Sequence, residues 1–162
     1  MPIFRNIMLP VDLSDVPSHL DTYAKAMTEK FKAKLHLVFV APFLQHYAAM
    51  YVPHPSIKQI EREIVDGAEK RLAEVRNGQF GELEDVVLAI LQGDPAEEII
   101  RYAIQKKIDL IIMGTHTRKG ISKVVCGSVA ERVVKGVQVP VMVISPFIQA
   151  AGGHKELMDP YV

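Results

Sequence analysis

Short apolar runs alternate along the chain with segments of helical periodicity, and this alternation restricts the fold more than any other feature of the sequence. The runs are rich in β-branched residues and span 3–11, 34–41, 83–92, 109–115 and 139–145. Apolar runs without a polar alternation are typical of strands that are covered on both faces, as in a parallel sheet. The sequence therefore predicts five buried strands.

Four apolar stripes with residues three and four apart predict helices between these strands. The stripes are Leu20, Ala24, Met27 and Phe31; Ile57, Ile60, Ile64, Ala68, Leu72 and Val75; Ile99, Ile100, Ala103 and Ile104; and Val125, Val129 and Val133. Asp94 as N-cap, Pro95 in the first turn and Glu97 completing a capping box mark the start of the third helix. This order predicts an α/β fold, a doubly wound parallel sheet with right-handed crossovers and helices on both faces.

Length and composition narrow the class of protein further. A chain of 162 residues suits one domain. We expect that domain to cover 1–148, with a loose tail at 149–162 and a long connection at 42–56. The formal net charge of zero gives no support to a general nucleic-acid or membrane-surface role. Cys126 is the only cysteine, which excludes an intrachain disulfide and favours a reducing cytoplasm.

The turns after the first and fourth predicted strands form the candidate site, because ligands of open parallel sheets bind where the strand order reverses. Gly114 and Gly120 would let backbone amides approach a ligand closely. A helix that begins near Gly127 and Ser128 would offer free N–H groups to an anion. Cationic side chains in the same turn are Arg118, Lys119 and Lys123. Alternatively, the glycines only form turns and Ser128 only caps a helix.

Asp12 is the second candidate, because it follows an apolar strand at the same edge of the predicted sheet. A carboxylate or backbone group there could read the amino edge of a purine. The alternative is that Asp12 caps a helix, a role for which Ser14 and Asp15 compete. The chain contains no P-loop, no G-x-G-x-x-G fingerprint and no G-x-S-x-G elbow, and its histidines do not indicate a metal site.

Several motifs, in this order along the chain, resemble the universal stress protein family over about residues 1–146. They are NIMLPVDLSD, the GDP helix start, DLIIMGTH, GSVAERVV and the closing VPVMVIS. The resemblance implies a Rossmann-like sheet in the strand order 3-2-1-4-5. The ATP-binding branch of that family carries G-x-x-G-x9-G-[ST], and here Gly114, Gly127 and Ser128 match it.

Two positions depart from the family pattern. Thr117 replaces the second glycine of the motif, and a β-branched side chain would be strained there if the backbone needs a positive φ. Leu13 replaces the glycine that commonly follows the family's aspartate, so we expect a larger side chain to border the crevice.

The resemblance implies a role for each part of the site. Asp12 and the Val40 backbone would hold adenine. Met113 and Gly114 would line the base and ribose. The phosphates would meet His116, Arg118, the amides around Gly127, and Ser128. The complete set of implied binding residues is Pro10, Val11, Asp12, Val40, Met113, Gly114, His116, Thr117, Arg118, Gly120, Gly127, Ser128 and Val129.

This resemblance implies a regulatory module in the stress response that binds ATP, with Mg²⁺ accompanying the phosphates, and that acts on a protein partner. A nucleotide-free dimeric interaction protein and a slow ATPase are the alternatives. We also expect a homodimer through the last strand, 139–145. That strand carries no charge and lies at a sheet edge, where unpaired backbone groups must be covered or paired. The resemblance points the same way, since family members commonly dimerise through this strand.

Overall fold

A five-stranded parallel sheet organises the chain, and its strand order β3-β2-β1-β4-β5 confirms the predicted fold class. The computed structural model describes residues 3–13, 18–41, 54–114 and 127–144. The elements in chain order are β1 Asn6–Pro10, α1 Ser18–Phe31, β2 Lys34–Ala41, α2 His54–Gln79, β3 Val86–Gln92, α3 Pro95–Gln105, β4 Leu110–Gly114, α4 Ser128–Gly136 and β5 Val141–Ile144. Thr115, Val125, Ser145 and the expected tail 149–162 lie outside the described residues.

The sheet has an apolar core on each face, and each core is covered by two of the four helices. Leu9, Leu37 and Ile112 face one core, which α1 and α2 complete. Met8, Val38 and Ile111 face the other, which α3 and α4 complete. Neighbouring residues of one strand thus enter different cores, because side chains alternate across a strand. Burial on both faces explains why the strands are nearly continuous in apolar residues.

Strand β1 begins at Asn6, three residues later than the sequence predicts. The amides of Arg5 and Asn6 both donate to Oδ2 of Asp109, at 2.8 Å each, so a side chain holds the entry to the strand. Ile3 is 75% exposed and contributes nothing to the sheet core. The predicted third strand is also too long at its start. The amide of Leu83 donates to the carbonyl of Phe80 in a turn that closes α2, and β3 begins only at Val86.

Among the described residues, the predicted apolar stripes face the core except at two positions. One helix also begins earlier than its stripe predicts. Ile60 and Ile104 are 44% and 74% exposed, so they lie outside the buried faces of α2 and α3. Helix α2 begins at His54, which shortens the expected long connection to 42–53, outside the described residues. Within the described ranges, the helices are too short or too polar to cross a bilayer.

The predicted N-cap of α3, Asp94, is confirmed. The side chain of Glu97, which the sequence assigns to a capping box, contacts the next helix. Oδ1 of Asp94 accepts from the amide of Glu97 at 3.0 Å, and Pro95 is the first helical residue. The carboxylate of Glu97 lies 3.5 Å from the guanidinium of Arg132 in α4, so this side chain is directed to the next helix. The start of α3 is thereby connected to α4.

Candidate functional site

The ladder between β1 and β4 opens towards the carboxyl edge of the sheet. The described pairs of this ladder are Ile7 with Leu110 and Met8 with Ile111. In contrast, β1 stays paired with β2 as far as Pro10, and β4 stays paired with β5 as far as Gly114. The two halves of the sheet therefore separate where the strand order reverses, which is where open α/β sheets bind their ligands.

The β1 side of this crevice is held by β2 and ends in an exposed carboxylate. The amide of Val11 donates to the carbonyl of Val38 at 2.9 Å, which extends the ladder one residue beyond Pro10. Asp12 follows and is exposed. It stands six residues before Ser18, where the described part of α1 begins. Ser14 and Asp15 lie outside the described residues.

Leu13, which the sequence analysis expects to border the crevice, also contributes to the core. Its side chain is half-buried and packs against the core beneath α1 and α2. A leucine at this position is therefore stabilised by core contacts. The departure from the family's glycine does not by itself place a bulky side chain in the crevice.

The β4 side of the crevice ends in Gly114, whose backbone angle is open to other residues. Gly114 has no left-handed backbone angle, and among the described residues a Cβ built on it would meet Cδ2 of Leu20 at an ordinary contact distance of 3.7 Å. Met113 is 6% exposed with its side chain in the core beneath α3 and α4, so only its backbone can reach the crevice. Gly114 thus places no side chain at the open end of the ladder.

Helix α4 begins at the same edge, and no side chain of the described residues caps its first turn. Gly127 is the N-cap, with φ −55° and ψ 148°, and Ser128 is the first helical residue. Ser128 therefore does not cap the helix. The first intrahelical bond runs from the amide of Glu131 to the carbonyl of Gly127 at 2.9 Å. By helix geometry the amides before Glu131 have no intrahelical acceptor, and they carry the positive end of the helix dipole.

The described part of the predicted site follows the carboxyl edge of the sheet and the start of α4. Val40 is half-buried near the end of β2, paired with Leu91 of β3, and packs against the core beneath α3 and α4. Val129 is half-buried against that same core. The residues of the predicted site outside the described ranges are His116, Thr117, Arg118 and Gly120. Searching the described ranges for three or more clustered His, Cys, Asp or Glu side chains finds none that could hold a metal ion.

Asp21 in the first turn of α1 is a buried acid that the sequence analysis did not anticipate. It is 9% exposed, and within the part of the chain that the structure describes its Oδ1 has no hydrogen-bond partner. Burial raises its pKa from 3.8 to about 6. The preceding residue, Leu20, is the side chain nearest to Gly114. The signal in the sequence was an acid beside the apolar stripe, at the spacing of seven from the equally buried Thr28.

Replacing Asp21 with asparagine is expected to raise stability at neutral pH. A raised folded pKa contributes stability that is fully present below pH 3.8 and lost as the pH rises through about 6. At pH 7.5 the variant should be more stable by about 1–2 kcal/mol, since partial solvation reduces the full effect. The difference should shrink by about half at pH 5. Urea denaturation at both pH values measures it, and a gain that is the same at both would contradict the assignment to Asp21.

The pH dependence of stability that His36 contributes has the opposite sign to that of Asp21. The Asp21 variant must therefore be compared with the parent chain at each pH. Its Nδ1 lies 3.0 Å from the hydroxyl of Tyr102, and its Nε2 is buried without a partner. Burial and, to a smaller extent, Lys34 lower the pKa of His36. Its contribution is present above pH 6.5 and lost as the pH falls through the lowered value. The trend cancels in the difference between the Asp21 variant and the parent.

Comparisons with known proteins give a consistent result. A family model described as the universal stress protein family matches residues 3–145. A universal stress protein of Methanocaldococcus jannaschii is 30% identical over 145 residues, covering 88% of this chain and 82% of that protein. One from Thermus aquaticus is 31% identical over 142 residues, with 88% and 99% covered.

Solved structures show the same fold. UspA of Lactobacillus plantarum has a TM-score of 0.67 at 26% identity, covering 87% of this chain and 97% of that one. A universal stress protein in complex with cAMP has a TM-score of 0.63 at 17% identity, with 88% and 98% covered. One from Archaeoglobus fulgidus in complex with dAMP has 0.62 at 17% identity, with 87% and 98% covered. The matched sequence and the matched sheet together establish that this chain belongs to the universal stress protein family.

Proposed function

We propose that this protein is a regulatory module that binds an adenine nucleotide, ATP in the first place, in the crevice between β1 and β4. The observation that carries the proposal is the opening of the β1–β4 ladder beside Gly114, with the start of α4 at the same edge. The complexes of two fold relatives with cAMP and dAMP support the adenine class. The match of Gly114, Gly127 and Ser128 to the ATP-binding motif supports a triphosphate.

The residues present fit such a ligand. The exposed carboxylate of Asp12 can accept from an adenine amino group, and the absence of a side chain at Gly114 would let a base or ribose approach the end of β4. The first-turn amides of α4 and the exposed Ser128 hydroxyl can donate to phosphate oxygens. Mg²⁺ would be carried in by the phosphates, whose oxygens are its usual ligands.

Isothermal titration with a panel of nucleotides tests the proposal. ATP is expected to bind with a Kd in the micromolar range, which corresponds to about −8 kcal/mol at 1 μM. GTP should bind at least tenfold more weakly, because its base offers a carbonyl where adenine offers the amino group to Asp12. Absence of heat with millimolar ATP would exclude the nucleotide function. Equal affinity for ATP and GTP would remove Asp12 from the proposed base contact.

We also propose that two copies of the chain pair through β5. This strand occupies an edge of the sheet, carries no charge, and exposes 37% of Val143. Such an edge is protected only if it is paired or covered. A two-fold axis would let β5 pair with its copy in a self-complementary contact. If no nucleotide binds, a nucleotide-free dimer is the function that this observation favours.

Sedimentation of two lysine variants tests the choice of edge. Val143→Lys on β5 is expected to convert a micromolar dimer to monomer, because the charge would be buried in the paired edge. Leu88→Lys on β3, the opposite edge, is the matched control, since Leu88 is 41% exposed and should leave the dimer intact. A monomeric parent chain, or dissociation only in the Leu88 variant, would contradict pairing through β5.

A further inference from the structure

Helix α4 carries the proposed phosphate-binding amides, and few of its residues are fully buried. It has nine residues, and its buried residues are Ala130 and Val133. Both reach the core beneath α3 and α4, while Val134 is 47% exposed. Helices this short are marginal without tertiary contacts. The position of its first turn must therefore depend on the element that packs beside it, which is α3.

Two contacts hold α4 against α3, one at the last turn of α4 and one at its middle residue, Arg132. At the carboxyl end, a Cβ built on Gly136 would lie only 2.5 Å from Cδ1 of Ile100 in α3. The missing side chain thus lets Ile100 pack directly against the last turn of α4. In the middle of α4, the guanidinium of Arg132 lies 2.9 Å from Oδ2 of Asp94 and 3.5 Å from Oε1 of Glu97.

Asp94 connects the start of α3 to α4 through its two carboxylate oxygens. Oδ1 caps α3 by accepting from the amide of Glu97, while Oδ2 accepts from Arg132. The hydrogen bond from Arg132 is the largest cause of the lowered pKa of Asp94, followed by the capping bond. Both planar groups are therefore oriented by fixed partners. Arg132 lies one turn into α4, with its charge directed at α3.

We propose that Arg132 is a positioning residue that acts through Asp94 to hold the first-turn amides of α4 for the nucleotide phosphates. The proposal rests on the proposed function for its effect on affinity. It differs from the simpler idea that Arg132, a cation close to an anion site, contacts phosphate directly. The two ideas predict opposite effects of removing the charge of Asp94.

Two single variants and their double variant distinguish positioning through Asp94 from direct phosphate contact. Asp94→Asn keeps an N-cap residue for α3 and removes the carboxylate, while Arg132→Met keeps the apolar stem and removes the guanidinium. Each is expected to weaken ATP binding about two- to fivefold, the range of a partly exposed ion pair. The double variant should be no weaker than the more severe single variant, because both act through one contact. Tighter binding in Asp94→Asn would overturn the proposal in favour of direct phosphate contact.

Lys135→Met is the matched control. Lys135 pairs with Glu131 inside α4, at 2.6 Å, so this variant removes the same charge from the same helix without affecting α3. Its Kd for ATP should stay within about twofold of the parent value. A loss equal to that of Arg132→Met would show that charge alone or helix stability alone is responsible, and would overturn the proposal.

Amide hydrogen exchange of the free protein keeps the inference testable apart from nucleotide binding. The amide of Glu131, which bonds to the carbonyl of Gly127, reports on the first turn of α4. It should exchange about two- to fivefold faster in Asp94→Asn and Arg132→Met, and less so in Lys135→Met. If the parent chain binds no nucleotide, the proposed function fails while this measurement still tests the contact of Arg132 with Asp94. An unchanged exchange rate of the Glu131 amide in both Asp94→Asn and Arg132→Met would overturn the proposed role of Arg132.

Discussion

Replacing Gly93 with alanine is expected to destabilise the folded chain by about 1–3 kcal/mol. Gly93 joins β3 to α3 with φ at +145°, a backbone angle that residues with a Cβ rarely adopt. A Cβ there would also lie 3.0 Å from Cγ and Oε1 of Glu98, a side chain that is only 11% exposed and paired with Arg101. The glycine of the GDP helix start is therefore required by backbone conformation and by space together.

A second glycine provides the matched control for this stability measurement. Gly67 lies inside α2, and a Cβ built on it meets nothing within 4 Å. Gly67→Ala should therefore stabilise the protein by roughly 0.5–1 kcal/mol, the difference in helix propensity. Urea denaturation of both variants measures the two effects, which should have opposite signs. A Gly93→Ala variant as stable as the parent would contradict the backbone geometry of this turn.

Replacing Gly114 with valine is expected to weaken ATP binding at least about 30-fold, which corresponds to about 2 kcal/mol. Strand β4 accommodates β-branched residues, and within the described residues a Cβ at this position makes an ordinary contact with Leu20. The added side chain would therefore occupy the open end of the ladder rather than disrupt the fold. Stability should change by less than about 1 kcal/mol.

Gly114→Ala makes the same test in a graded form. One methyl group should weaken ATP about three- to tenfold, between the parent and the valine variant, if the nucleotide lies against this strand end. Titration calorimetry gives the three affinities, and urea denaturation confirms that each variant is folded. Full affinity in a folded valine variant would show that the nucleotide does not occupy this space.

The sequence predicts the sheet well because buried parallel strands are determined by a local property. The bounds of β2 at Lys34–Ala41 match the prediction at both ends. The start of β1 could not be predicted, since it depends on Asp109, a residue far along the chain that binds the amides of Arg5 and Asn6. The exposure of Ile104 likewise depends on which part of α3 meets the sheet.

The candidate site likewise has features that local sequence predicts and features that depend on residues distant in sequence. Local patterns place Asp12 just beyond the first strand, Gly114 near the end of the fourth strand and Ser128 at a helix start, which is enough to indicate a crevice. The opening of the β1–β4 ladder, the burial of Asp21 and the contact of Arg132 with Asp94 depend on residues that are distant in sequence. The inward packing of Leu13 is another such case, because only the assembled core determines which face it joins.

An ATP titration followed by amide chemical shifts tests the central claim most directly, since it reports affinity and location together. We expect the amides of Asp12, Gly114, Ser128 and Val129 to shift together and to saturate with a single micromolar Kd. The distant groove between α2 and β3, lined by Val65 and Leu88 among others, should stay unchanged and serves as the internal control. Shifts confined to that groove, or no shifts with millimolar ATP, would contradict a nucleotide site between β1 and β4.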